Sequence, residues 1–260
     1  MSIEYLIFDL DNTLYPSSAQ MDKGITTRMM NCVAEFFNTS YEEAVKIRAE
    51  HITNFSTTLE WLRSEGLTDI ETYFSKVHPQ NEADELQPDT KLRPFLEAIY
   101  LPKIILTNAP REHAQRVLDK LQIADLFIDI CDIRSSNFYG KPYPLSFEIA
   151  LQKIGGTINN SLFIDDMQKY VDGYTALGGT AVLVGNQNGK PLEKDVGITA
   201  PRICVETITP SLVSNYEVSQ ASHIQDEDIT PLIISNVMSG IVSTQPQKYK
   251  NSLIKELYLR

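Results

Sequence analysis

The sequence predicts an α/β protein built on a parallel, doubly wound sheet, with a block of helices inserted after its first strand. Three observations carry this. Short, near-continuous apolar runs recur along the chain, and buried parallel strands read this way because both of their faces are covered. Amphipathic helical patterns fall between the later runs, as βαβ units require. Residues 9–102, between the first and second runs, are too many for a single crossover.

The first strand is Tyr5-Leu6-Ile7-Phe8. From there to residue 90 no segment reads convincingly as a strand. Met29, Met30, Val33, Ala34 and Phe37 make one helical stripe. A second helix is expected from Tyr41 to Ile52, behind the start signal Asn38-Thr39-Ser40. Leu59, Trp61, Leu62, Tyr73, Phe74 and Val77 add apolar mass, and Pro88 and Pro94 mark the return to the sheet. The second strand is Lys103–Leu106. Ala114, Val117, Leu118 and Leu121 follow at helical spacing. A third strand is expected over Leu126–Ile130, then a helix carrying Phe147, Ala150, Leu151 and Ile154. The fourth and fifth strands are Ser161–Ile164 and Ala181–Val184. Gly185–Gly189 reads as a polar turn. Beyond residue 210 no periodicity is sustained, apart from a candidate helix near Ile229–Met238. The expected organisation is a core of residues 1–16 and 91–209, a helical domain of residues 17–90, and an extension, 210–260, to which the sequence assigns no role.

The 260 residues are 42% apolar, enough for a sizeable core, and carry a formal charge of −11. That charge argues against a broad nucleic-acid-binding face; a small phosphate ester would need a local cation or metal. Cys32, Cys131 and Cys204 stand far apart, which favours buried thiols in a reducing compartment over disulfides or zinc. The start, MSIEYLIFDLDNTLY, has no basic n-region, and its apolar run is far shorter than the roughly 20 residues of a membrane span. The expectation is a cytoplasmic protein without a membrane partner; its oligomeric state is not legible.

The chemistry gathers at the carboxyl ends of the expected strands, where open α/β sheets bind their ligands. Strand one ends in Asp9-Leu10-Asp11-Asn12-Thr13, strand two in Thr107-Asn108, and strand four in Asp165-Asp166. Lys141 sits before Pro142 at an expected loop–helix junction. Each has an ordinary reading alone: a helix cap, a turn, a solvated loop. Their joint order along the sheet is hard to assign to coincidence.

This ordered set resembles the haloacid dehalogenase superfamily, whose motifs are Asp-x-Asp-x-Thr, Ser/Thr, Lys and an acidic pair. The resemblance spans roughly residues 3–185. Further stretches, DLDNTLYP, Thr58–Leu62, Leu86–Leu92 and LTNAPREHAQRVLDKL, are similar to its pyrimidine 5′-nucleotidase group. The resemblance implies a Rossmann-like three-layer core with a helical cap, and a phosphohydrolase acting on a small phosphate monoester, with a pyrimidine nucleoside 5′-monophosphate as the leading substrate. It implies Asp9 as nucleophile and Asp11 as general acid and base. Mg²⁺ would be held by Asp9, the Asp11 carbonyl, Asp165 and Asp166, and the phosphoryl oxygens by Thr107, the Asn108 amide and Lys141. Met167 and Tyr170 stand where the superfamily often has Ser and Asn. A phosphomutase would use the same residues, and a non-catalytic binding protein on a decayed core is the alternative outside enzymes. A dehalogenase is disfavoured by Asp11, because C–halogen displacement needs no protonated leaving oxygen.

Overall fold

A computed structural model of the chain describes residues 3–17 and 19–184. Among them, five strands form one parallel sheet in the order β3-β2-β1-β4-β5: β1 (Tyr5–Phe8), β2 (Lys103–Leu106), β3 (Ile130–Cys131), β4 (Ser161–Asp165) and β5 (Thr180–Leu183). Four helices, α1 (Gln20–Phe37), α2 (Tyr41–His51), α3 (Thr58–Ser64) and α4 (Ile70–Val77), lie between β1 and β2, before α5 (Leu92–Ala98). The later crossovers carry α6 (Arg111–Lys120), α7 (Pro144–Ile154) and α8 (Gln168–Ala176).

Alternation along the strands splits the core into two layers. Leu6, Phe8, Ile105, Leu162 and Ile164 pack with Phe95 and Leu96 of α5 and Ala114, Val117 and Leu118 of α6. Ile7, Ile104, Leu106 and Phe163 face the other way, onto Phe147, Ala150 and Leu151 of α7 and Tyr174 of α8. The result is the expected three-layer Rossmann-like arrangement.

The helical insertion has its own apolar cluster, built from Met30, Val33, Ala44, Leu59, Trp61, Leu62, Tyr73, Phe74 and Val77, and it closes on the core residue Ile133. Its helix starts are written locally. Ser40 accepts the Glu43 amide at 3.2 Å, Thr57 the Glu60 amide at 3.1 Å, and Asp69 the Thr72 amide at 3.0 Å, which satisfies N–H groups with no partner inside the helix. Asn38, in the expected start signal, instead ends α1 with a left-handed φ of 51°.

The expected third strand is misplaced. Ala124–Leu126 forms a 3₁₀ turn, and only Ile130–Cys131 is strand. Ile128 is exposed, and the Asp129 carboxylate accepts the amide of Ile130 at 2.8 Å and bonds Arg111 and Lys153. A polar knot thus occupies the middle of an apolar run. β4 gains Asp165, β5 begins one residue early, and α6 starts three residues after Asn108, at Arg111. Cys32 and Cys131 are free, buried thiols. No helix among the described residues is long and apolar enough to cross a membrane. Ser18, Cys204, the Gly185–Gly189 turn, the helix near Ile229–Met238 and the 210–260 extension lie outside the described residues.

Candidate active site

β1 and β4 are neighbours in register, Phe8 opposite Ile164, and the Asp9 amide continues the ladder onto the Ile164 carbonyl at 2.8 Å. Asp9 and Asp165 therefore leave the sheet side by side. From the loop before α7, Lys141 donates to Asp9 Oδ1 at 2.5 Å and to Asp165 Oδ2 at 2.6 Å. All three are buried. Thr13 donates to the other Asp9 oxygen at 3.2 Å, and the Met167 amide to Asp165 Oδ1 at 2.8 Å.

Lys141 is fixed from β2. Asn108 Oδ1 accepts the Lys141 amide at 2.7 Å, and its Nδ2 donates to the Lys141 carbonyl at 3.0 Å. A Cβ on Gly140 would stand 2.2 Å from Asn108 Oδ1, so this approach needs glycine. Tyr170, the departure noted in the sequence, has a defined place: its hydroxyl accepts from Asn108 Nδ2 at 3.1 Å, and Lys141 Nζ sits 5.0 Å from its ring centroid. Thr107 Oγ1 accepts the Ala109 amide at 3.0 Å. The Asn108 side chain thus orients Lys141.

One ammonium shared by several carboxylates leaves the site electron-rich. Burial pushes Asp9 well up, against the Lys141 charge and with help from Asp165 and Asp166. Burial, then the charge of Asp165, lifts Asp166 to about 7. Lys141 moves upward although burial opposes it, because Asp165 and Asp9 hold its charge. Asp9, Asp165 and Asp166 each offer an oxygen within 4.8 Å of the others. Surplus buried negative charge on clustered oxygen donors fits a hard divalent cation.

Asp11 lies in a second network. Tyr15 donates to its Oδ1 at 2.5 Å, and His113 Nε2 meets the same oxygen at 2.7 Å. Burial opposes ionisation of Asp11, but the His113 charge and hydrogen bond and the Tyr15 hydroxyl lower its pKa overall. His113, the third residue of α6 and fully buried, touches Glu82 Oε1 through Nδ1 at 2.7 Å. Burial works against its charge, yet Asp11 and Glu82 raise it to about 9. Glu82, from the insertion and also buried, meets Arg116 at 2.7 Å, His78 at 3.1 Å and Arg28 at 3.6 Å. His78, Glu82 and His113 have metal-like spacing, but the two arginines already neutralise Glu82, so this is an ion-pair network.

Asp9, Lys141, Asp165 and Asp166 thus gather at one point, Thr107 and Asn108 stand beside them at the end of β2, and Asp11 faces the insertion. By sequence, His113 stands near the start of the helix after Asn108, where it could be structural or line the site, and nothing singles out Glu82, His78 or Arg116. Nothing in NEADEL separates Glu82 from its solvated acidic neighbours. Within the insertion, Trp61 is fully buried and stacked on Phe37 and on His51, with both centroids at 5.3 Å. Arg28 turns inward to the Val77 carbonyl at 2.8 Å. The insertion meets the rim of the site through Glu60, which accepts from the Tyr143 hydroxyl at 2.6 Å, and through the Ser56 carbonyl, which accepts from Lys169 at 2.9 Å.

The chain is 27% identical over 186 residues to Phosphate metabolism protein 8 of Saccharomyces cerevisiae, covering 66% of this chain and 58% of that relative's length. A HAD phosphatase from Thermococcus onnurineus superposes with a TM-score of 0.52 at 19% identity, covering 73% of this chain and 89% of the other. A Lactobacillus plantarum protein assigned as a phosphoglycolate phosphatase gives 0.52 at 19% identity, over 70% of this chain and 86% of its own. At these identities the structural likeness speaks for the fold. The family model for haloacid dehalogenase-like hydrolases matches residues 3–169, from before β1 to beyond the acidic pair, and the chain belongs to that hydrolase family.

Proposed function

We propose that the chain is a Mg²⁺-dependent phosphohydrolase that forms an aspartyl-phosphate on Asp9 and acts on small phosphate monoesters. The observation that carries this is the convergence of Asp9, Lys141 and Asp165 at the ends of adjacent parallel strands, with contacts of 2.5 and 2.6 Å. Mg²⁺ would be held by Asp9, Asp165 and Asp166 with the Asp11 carbonyl, and would neutralise phosphoryl charge. An Asp9 oxygen attacks phosphorus, the ester P–O bond breaks, and Asp11, whose protonated form the negative charge of the bound phosphate favours against the pull of His113, gives its proton to the leaving alkoxide. Asp11, now a carboxylate, takes a proton from water as that water attacks the aspartyl-phosphate; inorganic phosphate leaves and Asp9 is restored. Lys141 and the Thr107-Asn108 turn face the transferred oxygens, where charge stabilisation supplies most of the rate.

The helical insertion is the cap in this reading. It carries its own apolar core and bonds the rim of the site through Glu60 and Ser56, which supports a role in excluding water from the intermediate. The leading substrate is a pyrimidine nucleoside 5′-monophosphate, on the strength of the DLDNTLYP and LTNAPREHAQRVLDKL stretches.

The test is phosphate release from pyrimidine and purine monophosphates, sugar phosphates and phosphoglycolate, for the native protein and Asp9→Asn. Release is expected with Mg²⁺, lost in EDTA, restored by added Mg²⁺, and absent from the variant. Turnover that survives EDTA or Asp9→Asn refutes the mechanism, and a preference for another ester replaces the nucleotide. Turnover confined to isomerisation of a sugar phosphate would make the enzyme a mutase.

A further inference from the structure

We infer that His113, braced by Glu82 from the insertion, is a positioning residue that aims Asp11, so that Oδ2 is the oxygen exchanging the proton with the leaving group. This rests on the acid–base role proposed for Asp11. The geometry is one-sided. Tyr15 and His113 both bond Oδ1, at 2.5 and 2.7 Å, and neither touches Oδ2. The Asp11 side chain keeps 28% of its surface open, whereas His113 and Glu82 have none. A carboxylate pinned through one oxygen has its χ rotations fixed and presents the other oxygen in a set direction.

The brace behind His113 comes from across the molecule. Glu82 belongs to the segment leading from the insertion back to β2, and Arg116 of α6 clamps the same Glu82 oxygen that His113 meets, at 2.7 Å. The orientation of Asp11 therefore depends on the insertion being docked. An insertion that swings away takes Glu82 with it and frees the imidazole. Acid catalysis is thus assembled only over a covered site, which protects the aspartyl-phosphate from premature attack by solvent.

The experiment compares kcat/KM, which reports steps through phosphorylation of Asp9, on an alkyl phosphate and on p-nitrophenyl phosphate, whose leaving group needs no proton. His113→Ala is expected to lower the alkyl value by about tenfold or more, within the range of general acid catalysis, and the aryl value by less than about threefold. His113→Gln, which can still donate to Asp11, should recover much of the loss, and Glu82→Gln should fall between. Equal losses on both esters in folded protein, judged by circular dichroism, overturn the proposal, as does His113→Gln matching His113→Ala. Should His113→Ala not fold, His113→Gln and Glu82→Gln decide: a selective alkyl loss in Glu82→Gln supports it, and equal losses in both refute it. Asp11→Asn separates the two layers. A selective alkyl loss there without one in His113→Ala sinks the positioning role alone; no selective loss in Asp11→Asn sinks the acid–base reading and this inference with it.

Discussion

Lys141 is the residue on which the site balances. It is buried, and its ammonium donates to two buried carboxylates, Asp9 and Asp165. Removing one partner of such a pair typically costs about 3–5 kcal/mol, because the other charge stays buried and unpaired. Lys141→Met is expected to lose about that much stability in EDTA, measured by urea denaturation, and to regain part of it with Mg²⁺ through preferential binding to the folded state. An identical loss with and without Mg²⁺ would argue against a metal held by Asp9, Asp165 and Asp166. The members of this cluster were legible in the sequence because each follows a strand or a Pro-marked turn in a fixed order. The Asp11–His113–Glu82 chain was not. Its members come from the loop after β1, from α6 and from the insertion, and their meeting is a product of tertiary packing that no spacing records.

At the level of elements, strands β1 and β2 match their apolar runs residue for residue, whereas β3 does not. A near-continuous apolar run marks neither burial nor strand length: in Leu126–Ile130 only Ile130 is buried, and although the Ile128 amide and the Asp129 carbonyl still bond β2, the Asp129 carboxylate turns to charged partners. That carboxylate joins the approach to β3 to α6 and α7, through Arg111 at 2.7 Å and Lys153 at 2.8 Å. Burial works against its ionisation, but the Lys153 and Arg111 bonds and the Ile130 amide prevail and hold its pKa at about 2, from an ordinary 3.8. A carboxylate with a depressed folded pKa adds stability that is full above its unfolded value and fades as pH falls through the folded one. The native protein should therefore melt above Asp129→Asn at pH 6, with the gap narrowing below about pH 4 and closing near pH 2. A gap unchanged down to pH 2.5 would show that the charge of Asp129 is immaterial. The group is partly exposed, so the effect is modest.

Across the whole molecule, the insertion and the core are held together by polar contacts around an apolar seam. Arg134, just after β3, bonds Glu71 of α4 through both carboxylate oxygens at 2.6 and 3.1 Å, reaches Glu112 of α6 at 2.9 Å, and lies 4.7 Å over the Phe74 ring. Exposed pairs of this kind contribute about 0–1 kcal/mol each. Arg134→Ala is expected to speed amide exchange across residues 70–77 while leaving global stability within about 1–2 kcal/mol, and no local change would remove Arg134 as a latch. The need for a helical insertion was legible from the length of chain between two strands, but its docked contacts were not, because charged side chains on helix surfaces look alike in sequence whether they face water or a neighbour. The sheet order has a further consequence, for synthesis. β1 is emitted first and lies at the centre, with Leu6 opposite Lys103 on one side and Leu162 on the other. The nascent chain must therefore keep this apolar strand unpaired until both distant partners have left the ribosome. High contact order of this kind slows folding and leaves intermediates open to aggregation, so the segment that leads into Asp9, the proposed nucleophile, is also the one a chaperone would have reason to hold.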